Sequence, residues 1–214
     1  MKRLLVTLLP LVILIGCSSA YYGAMEKIGI HKRDILVDRV EEARDSQMET
    51  KEQFSSALEQ FKSVLAFDGG ELENKYNQLK DVLEESEDRA EEVRDRVAAV
   101  ENVAEALFDE WEDELGQYSS ASMRRSSESQ LKKTRNQYYK LISAMKKAEA
   151  KIDPVLNPLR DQVLFLKHNL NARAISSLQA ELGNIETDVS RLIREMEASI
   201  KEADQFIGTL KAEQ

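Results

Sequence analysis

Apolar residues in this chain recur at alternating steps of four and three over several long runs, and that period leaves little choice of fold. A seven-residue repeat lays one stripe along an α-helix, and the stripe must be covered by other helices. The first run starts at Leu36 and passes through Val40, Ala43, Gln47, Thr50, Phe54, Ala57, Phe61 and Val64, with Gln47 and Thr50 as polar exceptions. A cleaner run takes in Leu72, Tyr76, Leu79, Leu83, Ser86, Ala90, Val93, Val97, Val100, Ala104, Leu107 and Trp111. The third holds Leu131, Tyr138, Leu141, Met145, Ala148 and Ile152, and the last Leu178, Leu182, Ile185, Val189, Leu192, Met196, Ala203, Ile207 and Leu210. The expected fold is all-α: an elongated antiparallel bundle, or coiled-coil hairpins, of three to four long helices over residues 35–214.

Interruptions in the pattern set the chain's path. Phe67-Asp68-Gly69-Gly70 reads as the end of one helix and a turn into the next, because glycine takes the left-handed conformation that stops a helix. Gly116-Gln117-Tyr118-Ser119-Ser120-Ala121-Ser122 carries no charge and no period and reads as a second reversal. Asp153-Pro154 and Asn157-Pro158 either open a new helix with proline in its first turn or kink one long helix where proline removes a donor. A break or strong kink is the preferred reading. Gly183 and Gly208 sit in strongly periodic context and are expected to be carried within a helix.

Charge points to the same hairpin. Residues 71–115 hold seventeen acids and five bases, whereas residues 123–151 hold nine bases and two acids. Helices of opposite sign suit an antiparallel pair. A loop centred near Ser119 would set Lys133 opposite Glu105, Lys146 and Lys147 opposite Glu92 and Glu91, and Lys151 opposite Glu87. Each exposed pair contributes only about 0–1 kcal/mol, so such pairs choose a register more than they stabilise it.

Residues 1–16 read as an address outside the fold. Lys2 and Arg3 are followed by an apolar stretch from Leu4 to Ile15, too short to span a bilayer, and then by Leu14-Ile15-Gly16-Cys17. This resembles a bacterial lipobox, which implies cleavage before Cys17 and acylation of that cysteine. Acyl chains contribute about 0.8 kcal/mol per buried methylene and hold a domain at a membrane. Ser18 follows the cysteine, and the resemblance to Gram-negative sorting signals then implies the periplasmic face of the outer membrane. Residues 17–34 are expected to lie close to the bilayer.

Composition narrows the function classes. One cysteine excludes an internal disulfide, and two histidines leave little for a metal centre or histidine-based catalysis. The net charge of −9 becomes more negative once Lys2 and Arg3 leave with the leader, so nucleic acid is not an expected partner. No glycine-rich phosphate loop of the Walker type occurs in the sequence. No cofactor and no catalytic group are expected, since the serines cluster in an uncharged loop without a histidine nearby.

Other clusters read as structural. Glu84, Glu85, Glu87, Asp88, Glu91 and Glu92 have helical spacing but lack the glycine-turned loop of a calcium site, and are expected to be solvated or lysine-paired. Arg124, Arg125, Lys132, Lys133, Arg135 and Lys140, interleaved with Tyr138 and Tyr139, are expected to pair with the acidic helix, with anionic lipid or cell-wall polymer as the other candidate. From Val155 to Leu178 apolar residues are dense, with Val163-Leu164-Phe165-Leu166 consecutive, as central core or an oligomer interface would require. His168 beside it is expected at the core edge.

The least generic segment is residues 21–34. Tyr21, Tyr22, Met25, Ile28, Ile30, Lys32 and Arg33 do not continue the first heptad, and tyrosines with basic stems suit a membrane interface, so they are the expected docking surface for membrane or partner. The pattern Tyr21-Tyr22 through Glu26-Lys27-Ile28-Gly29-Ile30-His31-Lys32-Arg33-Asp34, then Val37-Asp38-Arg39-Val40 and Asp161-Gln162-Val163-Leu164-Phe165-Leu166-Lys167-His168, resembles an uncharacterised proteobacterial lipoprotein family known as a domain of unknown function. That resemblance implies an envelope location and no activity. Two functions follow as expectations: a structural or interaction scaffold in the envelope, contacting another envelope protein, peptidoglycan or a second copy, or a module that binds lipid or a small hydrophobic ligand.

Overall fold

The computed structural model describes residues 22, 25, 26, 28–65, 72–169 and 172–212. Among them are five long helices: α1 (Lys32–Leu65), α2 (Leu72–Leu115), α3 (Ala121–Glu149), α4 (Ile152–His168) and α5 (Ala172–Ala212). Helix α1 packs on α2 and α5, and both α3 and α4 pack on the same two helices. The chain therefore runs up and down as an all-α bundle of four rods, with α3–α4 forming one broken rod diagonally across from α1. Among the described residues no helix is long and apolar enough to cross a membrane.

Heptad positions become core. All nine residues of the first run are buried, including Gln47 and Thr50. The second run is buried from Leu79 to Leu107, the third throughout, and the fourth everywhere except half-buried Leu182. Ser86, another polar member, satisfies itself by donating to the Val82 carbonyl at 2.7 Å. Gly183 and Gly208 lie inside α5. The glycine turn at Phe67–Gly70 lies outside the described residues.

Proline sets the break in the third rod, slightly upstream of where the Pro pairs suggest. Pro154 has no N–H to give the carbonyl four residues back, and its ring crowds that carbonyl, which belongs to Ala150. Helix α3 accordingly stops at Glu149, and Ala150 (φ −62°, ψ −10°) and Lys151 (φ −93°, ψ −5°) stay near helical angles, so α4 restarts at Ile152. Pro154 falls in the first turn of α4 and Pro158 inside it. Val155, Leu156, Leu159, Val163 and Leu166 are buried as core, whereas Leu164 and Phe165 stay exposed, and so does His168.

The hairpin is as expected, but the ion-pair register is not. Lys146 meets Glu101 at 2.5 Å rather than Glu92, and Glu87 takes Arg160 at 2.5 Å rather than Lys151. Arg135–Glu112 and Arg94–Asp153 follow the same offset, and Lys147 turns to Glu195 on α5. Side chains on a helix lean toward its N-terminus, so in an antiparallel pair the tips are displaced in opposite directions by about one residue each, which accounts for part of the difference. A register counted on Cα positions misses that lean.

Candidate functional site

The end of the bundle where α1 begins departs from simple heptad packing. Ion pairs and hydrogen bonds fix what meets there: Lys32 Nζ reaches Glu26 Oε1 at 2.5 Å and Glu110 Oε1 at 2.7 Å, and the Arg33 guanidinium donates to the Leu210 carbonyl. The start of α1, the later part of α2 and the C-terminal turns of α5 therefore share this end.

The chain enters it through a built turn. Ile30 N–H donates to the Met25 carbonyl and Gly29 N–H to the Glu26 carbonyl, both at 3.0 Å, with Gly29 at φ 85°. This pair of hydrogen bonds closes a helix through a left-handed glycine, and Met25 and Ile30 on either side of it pack on the core. His31 then starts α1: its carbonyl accepts from Ile35 N–H at 3.1 Å, and its own N–H donates to Asp34 Oδ2 at 3.4 Å.

Among the described residues, Tyr22, Met25, Ile30, Lys32 and Arg33 of the expected docking surface turn to the bundle. Tyr22 is only 7% exposed and belongs to the core, Met25 and Ile30 pack against it, and Lys32 and Arg33 are tied to the bundle end. Ile28, at 71% exposure, is the one of the described set that faces outward. Tyr21 and Cys17, with Ser18, lie outside the described residues. The physical reason is the glycine turn, which folds the segment back onto apolar surface that the heptad count assigned to nothing. The motif Met25-Glu26-Lys27-Ile28-Gly29-Ile30 carried that signal in the sequence.

Burial pulls the Lys32 ammonium down, but the bonds to Glu110 and Glu26 outweigh it and its pKa rises above 10.5. The Lys32 bond in turn holds Glu26 below 4.5, against the opposing effect of burial. Deeper in, Tyr138 stacks edge-on to Phe108 at 5.4 Å, and burial, with Glu101, Tyr139 and Glu105 around it, pushes its phenol up to about 12.

Beyond Glu110 the α2–α3 hairpin continues as an exposed tip. Residues 121–130 of α3 are exposed or half-exposed, and Leu131 is the first buried residue of that helix. Ser120 caps α3, its Oγ accepting from Met123 N–H at 3.4 Å, and Trp111 Nε1 donates to Ser127 Oγ at 2.8 Å across the hairpin. Tyr118 and Met123 are exposed, the latter at 60%, next to Arg124 and Arg125.

Two concavities lie near this end. A groove of about 660 Å³ runs between α3 and α5, with Lys133 and Lys140 on α3 and Glu202, Asp204 and Gly208 on α5. The other, of about 330 Å³, is lined by all four rods: Arg33, Leu107, Trp111, Gln130, Thr134 and Leu210. Elsewhere three members of the acidic cluster are paired, Glu84 with Lys80 as expected, but Glu87 with Arg160 and Glu92 with Arg89 and Arg96, so arginine takes most of the role expected of lysine.

With this geometry established, residues 21–210 match the family model described as "Protein of unknown function (DUF2959)". The chain belongs to that family. The matched span covers the described bundle up to the last two residues of α5 and starts after Cys17. No curated protein and no solved structure matches the chain.

Proposed function

We propose that this DUF2959 member is a lipoprotein anchored through Cys17 to the periplasmic face of a Gram-negative outer membrane, where its bundle acts as a structural or protein-interaction scaffold without catalysis. The observation that carries the reading is Lys2-Arg3, the apolar stretch to Ile15 and Leu14-Ile15-Gly16-Cys17, placed five residues before the buried Tyr22. Five residues reach at most about 18 Å, so an acylated Cys17 keeps the α1-start end of the bundle against the bilayer. The hairpin tip points the same way and carries about ten exposed residues of α3 beyond the first buried one, roughly 15 Å of helix. Tether and tip thus match in length, and Tyr118, Met123, Arg124 and Arg125 have the mixed aromatic, apolar and cationic character suited to a lipid interface.

The opposite end, with exposed Leu164 and Phe165 on α4, is left to face a protein partner or peptidoglycan. Cys17→Ser tests the anchor. The variant is expected in the soluble fraction, and its retention in membranes after an alkaline wash would defeat the lipoprotein reading. Ser18→Asp is expected to move the protein toward the inner-membrane fraction; wild type already found there would remove the outer-membrane assignment.

A further inference from the structure

Charge on the outer lines of the rods is sorted by sign. Along α1 every seventh residue from Asp38 onward is acidic and exposed: Asp38, Asp45, Glu52 and Glu59. Helix α2 repeats this with exposed Asp81, Asp88 and Asp95 and, one heptad beyond Asn102, Asp109. Seven-residue spacing keeps each set on one line, turned away from the buried heptad positions. Across the bundle the sign reverses. The outer line of α5 carries exposed Arg194 and Lys201, and α3 presents exposed Lys133 and Lys140 at the lip of the groove of about 660 Å³ that it forms with α5. Since α1 packs on α2 and α3 packs on α5, one long side of the bundle is acidic and the side facing away from it is basic. Asp38, Glu52, Asp88 and Asp95 on the first side, and Lys140, Arg194 and Lys201 on the second, have no ion-pair partner among the described residues. A surface that serves solubility alone intersperses the two signs.

The heights of these charges agree as well. Arg44–Asp204 at 3.1 Å and Lys51–Glu197 at 3.6 Å fix how α5 lies along α1, and they set Lys201 level with the interval from Asp45 to Glu52. Arg135–Glu112 and Lys146–Glu101 bracket Lys140 in the same way and set it near the level of Asp109. A second bundle shifted sideways, without sliding, therefore lays the α5 bases over the α1 acids and the α3 bases over the α2 acids. We propose that the acidic α1–α2 side binds the basic α3–α5 side of a second copy of this chain, rod parallel to rod. The two patches differ and lie on opposite sides, so the contact is heterologous, does not close on itself and extends into a row. The upright stance of that row at one height rests on the Cys17 anchor proposed above; the complementarity of the two sides does not. Exposed ion pairs are individually weak and screened by salt. Confinement to one membrane raises the effective concentration, which lets a row form from contacts too weak for a stable complex in dilute solution.

The full chain is reconstituted in phosphatidylethanolamine and phosphatidylglycerol vesicles and treated with an amine-reactive crosslinker. Wild type is expected to give a ladder of dimer, trimer and higher species that falls at least fivefold between about 20 mM and 500 mM salt. Arg194→Glu with Lys201→Glu breaks the basic side, and Asp45→Lys with Glu52→Lys breaks the acidic one. Each double variant alone should lose the ladder at least fivefold with unchanged helicity, because all four positions are exposed. Mixed together, each still offers one intact side, so pairs between the two differently tagged variants should return. Lys132→Glu with Lys167→Glu is the control of equal charge change. Lys132 lies two heptads before Lys146 and Lys167 two heptads after Asp153, on the side of the third rod that meets α2, so this variant should keep the ladder. If the chain does not float with the vesicles, the anchor reading fails by itself, and the same samples crosslinked in solution at about 100 µM decide the pairing. Wild type that stays monomeric at low salt, a ladder that stops at the dimer, a control that loses as much as the Arg194 and Lys201 variant, or a mixture that does not pair would each overturn the proposal.

Discussion

Gln47 sits at a heptad position of α1 with 0% exposure, and among the described residues neither its Nε2 nor its Oε1 has a hydrogen-bond partner. Replacing it with Met keeps an unbranched side chain of similar length and good helix propensity while deleting two stranded polar atoms. Leaving a buried polar group unpaired costs about 1–3 kcal/mol, so Gln47→Met is expected to stabilise the bundle by roughly that amount. For a chain of this size each kcal/mol moves Tm by about 2–4 °C, which sets the expected rise at roughly 2–12 °C. Urea unfolding followed by circular dichroism should show a higher midpoint with unchanged slope, because the surface exposed on unfolding is the same. Thr50→Val gives the comparison: Thr50 is equally buried but its Oγ1 donates to the Arg89 carbonyl at 3.4 Å, so its change should be near zero. A Gln47→Met variant destabilised by more than about 1 kcal/mol would refute the reasoning, since it would mean the amide is satisfied, for instance by a buried water.

Four further outcomes follow from the α1-start end and the hairpin. Tyr22→Ala should cost about 3 kcal/mol in urea unfolding, whereas exposed Ile28→Ala should stay within about 0.5 kcal/mol; equal effects would show that residues 22–31 are not part of the core. Lys32→Met should flatten the stability–pH curve at both ends. The raised Lys32 pKa contributes stability that is complete below its ordinary 10.5 and lost as pH rises through the higher folded value, and the lowered Glu26 pKa contributes stability present above 4.5 and lost as pH falls through the lower folded value. A wild-type curve with no slope in either window would contradict the pairing. Lys146→Glu should lose up to about 1 kcal/mol and be rescued by Glu101→Lys but not by Glu92→Lys, with the reverse rescue restoring the Cα-counted register. Finally, a nitroxide on Met123→Cys in the full chain, reconstituted in phosphatidylethanolamine and phosphatidylglycerol vesicles, should meet a lipid-soluble relaxant several-fold more than one on Leu164→Cys. Equal accessibility in a protein that floats with the vesicles would show that the tip does not reach the bilayer.

The long rods were legible because their signal is redundant. Six or more positions at heptad spacing recur in each run, and the spacing is strong enough that the two polar exceptions, Gln47 and Thr50, are buried with the rest. The reversal at Gly116–Ser122 was legible for a different reason, since a stretch without charge or period has nothing to place on a helix face. What was not legible depended on direction rather than pattern. Ion-pair partners such as Lys146 and Glu101 depend on how the two helices are set against each other and on the direction of long side chains, which a count of residues from the loop does not contain. The inward placement of Tyr22, Met25 and Ile30 depends on a turn closed by Gly29, and a heptad test cannot register one turn. Arg33 shows the same limit at a single residue. Its sequence neighbourhood reads as basic and membrane-facing, while its position on α1 turns it toward the Leu210 carbonyl and the cavity.

Stranded polar atoms recur along the interior of this bundle. Ser46 Oγ, Gln47 Nε2 and Oε1, Thr134 Oγ1 and Ser199 Oγ are all enclosed without a partner among the described residues. Polar groups enclosed in this way act on the fold, by disfavouring alternative registers at a cost in stability. Gln47→Met and Thr134→Val should therefore both raise Tm, because each deletes an unpaired buried group. A Thr134→Val variant that melts lower than wild type would show that its hydroxyl is satisfied in solution, and the register argument would then rest on the serines and Gln47 alone.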